Sequence, residues 1–124
     1  MEDEHNEIHA GASVTGTLYE CEDKARHPVV QLYTKEGCTL CDKVVDVLKD
    51  VLGDQPHSLQ AIDIRDDNEV FSKYKYDIPV LHINNEYWTK HRLSADEALE
   101  GIQEARQGNF EAKQGEPNAA KYEH

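Results

Sequence analysis

Apolar residues crowd into residues 28–107, and their spacing changes along that stretch. Val29-Val30-Gln31-Leu32-Tyr33 is an apolar run that barely alternates. It predicts a strand over residues 29–34 buried on both faces, with Pro28 marking its start. Val44, Val47, Leu48, Val51 and Leu52 then recur at i, i+3, i+4 spacing, with Asp42, Lys43, Asp46, Lys49 and Asp50 left for solvent. That predicts a helix from residue 39 or 40 to residue 52, closed by Gly53. Leu59, Ala61 or Ile62, and Ile64 supply the apolar side of a second strand over residues 58–64, parallel to the first because a helix joins them. Asp66 or Asp67 caps a short helix over residues 69–74, whose apolar face is Val70, Phe71 and Tyr74. Strands over residues 80–83 and 86–90 are joined by Asn84-Asn85, a pair that accepts positive φ, and so form an antiparallel hairpin. Ser94 and Glu97 make a capping-box pattern ahead of a last helix, which buries Ala98, Leu99, Ile102 and Ala105 and ends near Gln107. The order is β-α-β-α-β-β-α, an α/β domain with a four-stranded mixed sheet and three helices.

The flanks lack this periodicity. Residues 1–27 and 108–124 are expected as disordered tails, the first acidic, with residues 14–19 as a candidate short strand. Of the 124 residues, 38% are hydrophobic and 31% charged, which suits one globular domain rather than a fibre or a membrane protein. No apolar run approaches the ~20 residues a membrane helix needs. The net charge of −12 divides as −5 over residues 1–27, −6 over 28–107 and −1 over 108–124, so no segment forms a basic patch. Nucleic acid and anionic membrane are therefore poor partners. The acidic start, Met1-Glu2-Asp3-Glu4, has neither the basic and apolar parts of a signal peptide nor the composition of a transit peptide, and a cytoplasmic location is expected.

Chemistry concentrates in Thr34-Lys35-Glu36-Gly37-Cys38-Thr39-Leu40-Cys41, at the junction of the first strand and the first helix. Unpaired N–H groups and the positive end of the dipole meet at a helix start, and both favour a thiolate at Cys38. Cys41 lies one turn on, on the same face, where it can attack a mixed disulfide formed at Cys38. Lys35 adds positive charge, and Gly37 lets the loop turn tightly. Cys21 stands apart, either a third thiol or an exposed cysteine without a partner. In a reducing compartment a Cys pair of this spacing is catalytic or metal-binding rather than a structural staple.

Cys-x-x-Cys opening the first helix, with Ile78-Pro79 ahead of the third strand, resembles the thioredoxin fold. The small size and the run from Leu32 to Cys41, with Tyr76-Asp77-Ile78-Pro79-Val80-Leu81, resemble the glutaredoxin-like family that carries Cys-x-Leu-Cys. The resemblance covers residues 28–107. It implies a cis peptide bond at Pro79 facing the cysteines, with the backbone of Ile78 pairing with a substrate peptide or with glutathione as an added strand. It also implies Cys38 as nucleophile and Cys41 as resolving thiol. Lys35, Thr39, Leu40, Ile78 and Pro79 would then contact substrate, and glutathione or a disulfide-containing protein would be the partner. A monomer with no tightly bound cofactor or metal is expected, glutathione serving as co-substrate, and the reductase partner is left unassigned. Thr39 and Leu40 stand where glutaredoxins commonly carry proline and an aromatic. The segment Trp88-Thr89-Lys90-His91-Arg92-Leu93 has no Gly-Gly turn, which in that family is followed by an acidic pair that holds the glutathione amino group. Asp96 and Glu97 could replace that pair, whereas the basic cluster Lys90, His91 and Arg92 could instead attract an anionic substrate.

Two other functions use the same residues. An iron–sulfur or metal site would take Cys38 and Cys41 together with Cys21, His82, His91 or a second chain. A non-catalytic adaptor would use the Trp88 loop and the acidic tail.

Overall fold

The structure is a computed structural model and describes residues 12–22 and 27–122. Its elements are β1 (Gly16–Tyr19), β2 (Val29–Thr34), α1 (Thr39–Val51), β3 (Ser58–Asp63), α2 (Asn68–Tyr74), β4 (Val80–Ile83), β5 (Glu86–Lys90) and α3 (Ala95–Arg106). Short 3-10 turns cover Ile64–Asp66 and Ala119–Tyr122. The strands lie in the order β1-β3-β2-β4-β5. β2 and β3 are parallel, with Thr34 opposite Asp63, and the other three pairs are antiparallel.

Alternation along the strands sorts the core onto two faces. Val30, Leu32, Leu59, Leu81, Ile83 and Trp88 pack with Val44, Leu48 and Val51 of α1 and Ala98 and Ile102 of α3. The other face carries Val80, Tyr87 and the half-buried Tyr33, covered by Tyr74 and Val70 of α2 and by Ile64. The helices start where their caps stand. Asp67 accepts from the N–H groups of Glu69 and Val70, and Ser94 and Glu97 complete the expected capping box. Asn84 and Asn85 both take positive φ, as the hairpin requires. Gly101 of α3 faces the Trp88 ring so closely that the helix backbone itself is a packing surface.

The sheet has five strands rather than the expected four, and the described part of the N-terminal flank belongs to it. β1 is held by groups far away in sequence. The Val14 N–H donates to the Asp63 carboxylate at 3.1 Å, Thr15 Oγ1 accepts from the Asp63 N–H at 2.8 Å, and the Tyr19 hydroxyl bonds to Nε2 of His57. Residues 1–11 and 23–26, also expected as tail, lie outside the described residues.

The C-terminal flank differs as well. Residues 109–122 form a strap that passes around β5 from the α3 face to the α2 face. Phe110 meets Trp88 edge-on at 6.5 Å, the Lys113 N–H donates to the Tyr87 carbonyl at 2.9 Å, and Lys113 pairs with Glu104 at 3.1 Å. Glu116 then accepts from the Tyr74 hydroxyl and from Lys73, and Ala119 is buried. The segment looks polar because it is anchored at intervals and not by a continuous apolar stripe.

Candidate active site

Cys38 is the N-cap of α1, and its Sγ accepts from the Cys41 N–H at 3.2 Å. The two cysteines are joined in a disulfide, with Cα atoms 5.2 Å apart. Cys41 is 2% exposed inside the main core, whereas Cys38 is half-buried at its margin. The helix start that aims N–H groups at Cys38 is thus built by Cys38 itself, whose sulfur takes the place an Asp or Ser oxygen has at other caps. The loop before it is set by backbone. The Cys38 N–H donates to the Lys35 carbonyl at 3.3 Å, and Gly37 has φ +83°, a left-handed conformation that glycine adopts freely. Thr39 and Leu40 are exposed on the first turn, Leu40 by 48%. The Lys35 side chain is exposed, and it is the carbonyl of this residue that has a defined place in the turn.

The Ile78–Pro79 peptide bond is cis, the isomer the resemblance implies. Since Tyr33 pairs with Val80 in the β2–β4 ladder, Pro79 lies level with the last residue of β2, one loop before Cys38. Half-buried Ile78 and Cys38 pack against the same core cluster. On the other side of the loop, the His91 N–H donates to the Pro79 carbonyl at 2.7 Å, and His91 Nε2 reaches an Asp77 carboxylate oxygen at 3.0 Å. Lys90 approaches the same oxygen at 3.6 Å. The expected basic cluster is therefore offset only in part, because Lys90 and His91 both turn to the single carboxylate of Asp77. Asp96 and Glu97 are exposed in the first turn of α3, and Glu97 is spent on the cap.

Two polar constellations escape sequence reading. Fully buried Asp63, at the same end of the sheet as Thr34, takes the Arg65 guanidinium at 2.6 Å. The hydrogen bonds from Arg65 hold its carboxyl down at about 2 against the opposing effect of burial, helped by the N–H groups of Arg65 and Val14. Glu36, in the loop before Cys38, adds its field to that guanidinium. Beneath α2, the Tyr74 hydroxyl joins His82 Nε2, at 3.1 Å, to Glu116, with Tyr33 and Tyr87 packed around the imidazole. Burial lowers the His82 pKa and raises that of Tyr74. Burial also works to raise Glu116, but the hydrogen bonds from Tyr74 and Lys73 outweigh it and leave the carboxyl lowered. The alternation of β2 and β4 hints at this polar face through Gln31 and His82, but Glu116 is 34 residues from His82 and gives no local signal.

Cys21 is a half-buried free thiol on the far side of the sheet, its N–H donating to Ser58 Oγ at 2.8 Å. Among the described residues no three His, Cys, Asp or Glu side chains gather as a metal-binding set. No helix among them is long and apolar enough to cross a membrane.

Comparison with known proteins agrees with this geometry. Residues 29–103 match the family model described as Glutaredoxin-like domain (DUF836). Among curated proteins, the chain is similar to a Dictyostelium discoideum protein named Glutaredoxin-like protein YDR286C homolog. The two are 27% identical over 73 residues, covering 54% of this chain and 68% of the relative. The matched span runs from the first residue of β2 into α3 and takes in both cysteines and the cis-proline. With a thioredoxin-like fold, and with more than half of its length inside that match, the chain belongs to the glutaredoxin-like family.

Proposed function

We propose that this protein is a thiol–disulfide oxidoreductase in which Cys38 is the nucleophile and Cys41 the resolving thiol. The observation that supports this best is the asymmetry of the pair. Cys38 sits at the margin of the core on a helix start that favours a thiolate, and Cys41 is nearly sealed one turn behind it. In the reduced enzyme, the Cys38 thiolate attacks one sulfur of a substrate disulfide, and the other sulfur leaves as a thiolate. Cys41 then attacks Cys38 Sγ, its proton passing to the departing substrate thiolate. The second substrate thiolate departs and the Cys38–Cys41 disulfide closes. Two electrons have passed from the enzyme to the substrate. An external thiol, glutathione or a protein dithiol, must return them for turnover. Thr39 and Leu40 border the sulfur, Ile78 and Pro79 form the groove wall, and Lys35 supplies positive field.

The test is intact mass after equilibration in glutathione redox buffers, for the parent, Cys38→Ser and Cys41→Ser. The expected result is an internal disulfide in the parent, one glutathione on Cys38 in Cys41→Ser, and no adduct at Cys41 in Cys38→Ser. An internal disulfide without any adduct in Cys41→Ser points to a protein donor in place of glutathione. A parent whose cysteines stay unmodified in every buffer removes the redox reading.

A further inference from the structure

We infer that His91 is a positioning residue, which holds the substrate-receiving loop at both ends and so governs reaction with polypeptide disulfides but not with small ones. The inference rests on the disulfide-exchange reading above. The loop in question is residues 77–79. At its far end, the Pro79 carbonyl accepts the His91 N–H at 2.7 Å; at its near end, the Asp77 carboxylate accepts His91 Nε2 at 3.0 Å. One residue therefore bridges the segment with its backbone and its ring together, and Ile78 lies between the two anchors. The near end is also tied by the Asp77 N–H, which donates to the Tyr74 carbonyl at 2.9 Å, and by Lys90 at 3.6 Å from the Asp77 carboxylate.

The backbone of His91 supports a specific role for the ring. Its φ is +73°, in the left-handed region that penalises a residue with a Cβ and that glycine adopts freely. An imidazole occupies a conformation suited to glycine, and that conformation is what lets the N–H and the ring point to the same loop. The Arg92 N–H closes the turn onto the Lys90 carbonyl at 2.9 Å, which leaves His91 at its apex. Lys90 reaches the same Asp77 oxygen only at 3.6 Å, so the imidazole is the closer of its two partners.

What the clamp presents is a peptide unit. Among the described residues, neither the N–H nor the carbonyl of Ile78 takes part in a turn or in the strand ladders. It stands level with the end of β2, beside the cysteine loop, where an extended polypeptide can add its own backbone hydrogen bonds. A small disulfide has no backbone to pair and needs only access to Cys38. Loosening the loop therefore weakens the first kind of substrate and leaves the second alone.

The experiment uses the full chain in a Cys41→Ser background, so that attack by Cys38 stops at the mixed disulfide and expels the other half of the substrate as a thiol. Adduct formation is followed by intact mass against concentration, with the symmetric disulfide of a short peptide and with 2-hydroxyethyl disulfide. His91→Gly keeps the left-handed backbone and its N–H but removes the ring. His91→Asn tolerates the same φ and restores a side-chain donor. In His91→Gly the half-saturating concentration of the peptide disulfide is expected to rise roughly five- to tenfold, the effect of losing one partly exposed hydrogen bond of ordinary net strength. Its limiting rate and the rate with 2-hydroxyethyl disulfide should stay within about twofold, and His91→Asn should recover part of the peptide effect. Equal slowing with both disulfides overturns the inference, as does an unchanged half-saturation for the peptide. If Cys38 with His91 intact reacts with neither disulfide, the exchange reading falls and takes this inference with it.

Discussion

Replacing Gly101 with alanine sets two effects of known size against each other. Helix propensity alone favours the change, because alanine is about 1 kcal/mol better than glycine in a helix interior. The structure opposes it. A Cβ built on Gly101 lies 2.6 Å from Cε2 and Cζ2 of Trp88 and 2.7 Å from its Nε1. Carbon atoms in contact prefer about 3.5–4.0 Å, so the overlap is about 1 Å against a rigid ring. Trp88 has little room to withdraw, being 7% exposed and met edge-on by Phe110 of the strap. Overpacking of this kind costs about 1–3 kcal/mol, and after the propensity gain the net loss should be roughly 0–2 kcal/mol. Urea unfolding followed by tryptophan fluorescence and by circular dichroism measures it, as a lower midpoint at unchanged slope. In a Trp88→Leu background the same substitution should be neutral or stabilising by up to about 1 kcal/mol, because the obstructing ring is gone. A Gly101→Ala variant that is more stable than the parent would refute the packing argument and leave propensity as the only term.

Three further outcomes are expected. Asp63→Asn should cost about 2 kcal/mol at pH 7, because a fully buried carboxylate whose pKa is held at about 2 is more stabilising in its charged form. That contribution is complete above the unfolded-state pKa near 4 and is lost as pH falls toward 2, so the parent and Asp63→Asn should converge in urea midpoint in strong acid. His57 and His82 are both buried with lowered pKa values, so the unfolded chain takes up their protons first. Stability should decline as pH drops below the ordinary imidazole value of about 6.5, before any carboxylate titrates, and a flat urea midpoint between pH 7.5 and 5.5 would contradict this. Phe110→Ala should cost roughly 1–2 kcal/mol, less than the 3–5 of a fully buried phenylalanine, and should expose the strap to limited proteolysis near Lys113.

What could be read from the sequence is what depends on neighbours in the chain. The α1 stripe of Val44, Leu48 and Val51, the Ser94–Glu97 box and the Asn84-Asn85 turn each carry a local pattern, and each appears where that pattern places it. β3 ends at Asp63 rather than at Ile64 because the Asp63 carboxylate caps a 3-10 turn there. The misses share one cause. β1 falls within the candidate strand over residues 14–19, but its place in the sheet is not legible: it exposes Gly16, Thr17 and Leu18, so no alternation marks it, and its support comes from Asp63, Asp66 and His57 more than 35 residues away. The strap likewise depends on Trp88, Tyr87 and Tyr74. At the site, Cys38 and Cys41 announce themselves by spacing. The partnership of Asp77 with His91 spans 14 residues and changes the meaning of Lys90 and His91 as a free basic cluster.

The strap has a consequence for how copies of this chain meet. An open sheet ends in two rows of unpaired backbone groups, each a template on which another strand can grow. Here the outer side of β5 is engaged at one point, where the Lys113 N–H donates to the Tyr87 carbonyl. The opposite border is β1, only four residues long, with its register broken between Thr17 and Tyr19. One border is interrupted by the strap at Tyr87, and the other is short and irregular. In the function proposed above, an extended polypeptide docks at the loop at Ile78, and neither border among the described residues is a long, regular, fully free strand edge.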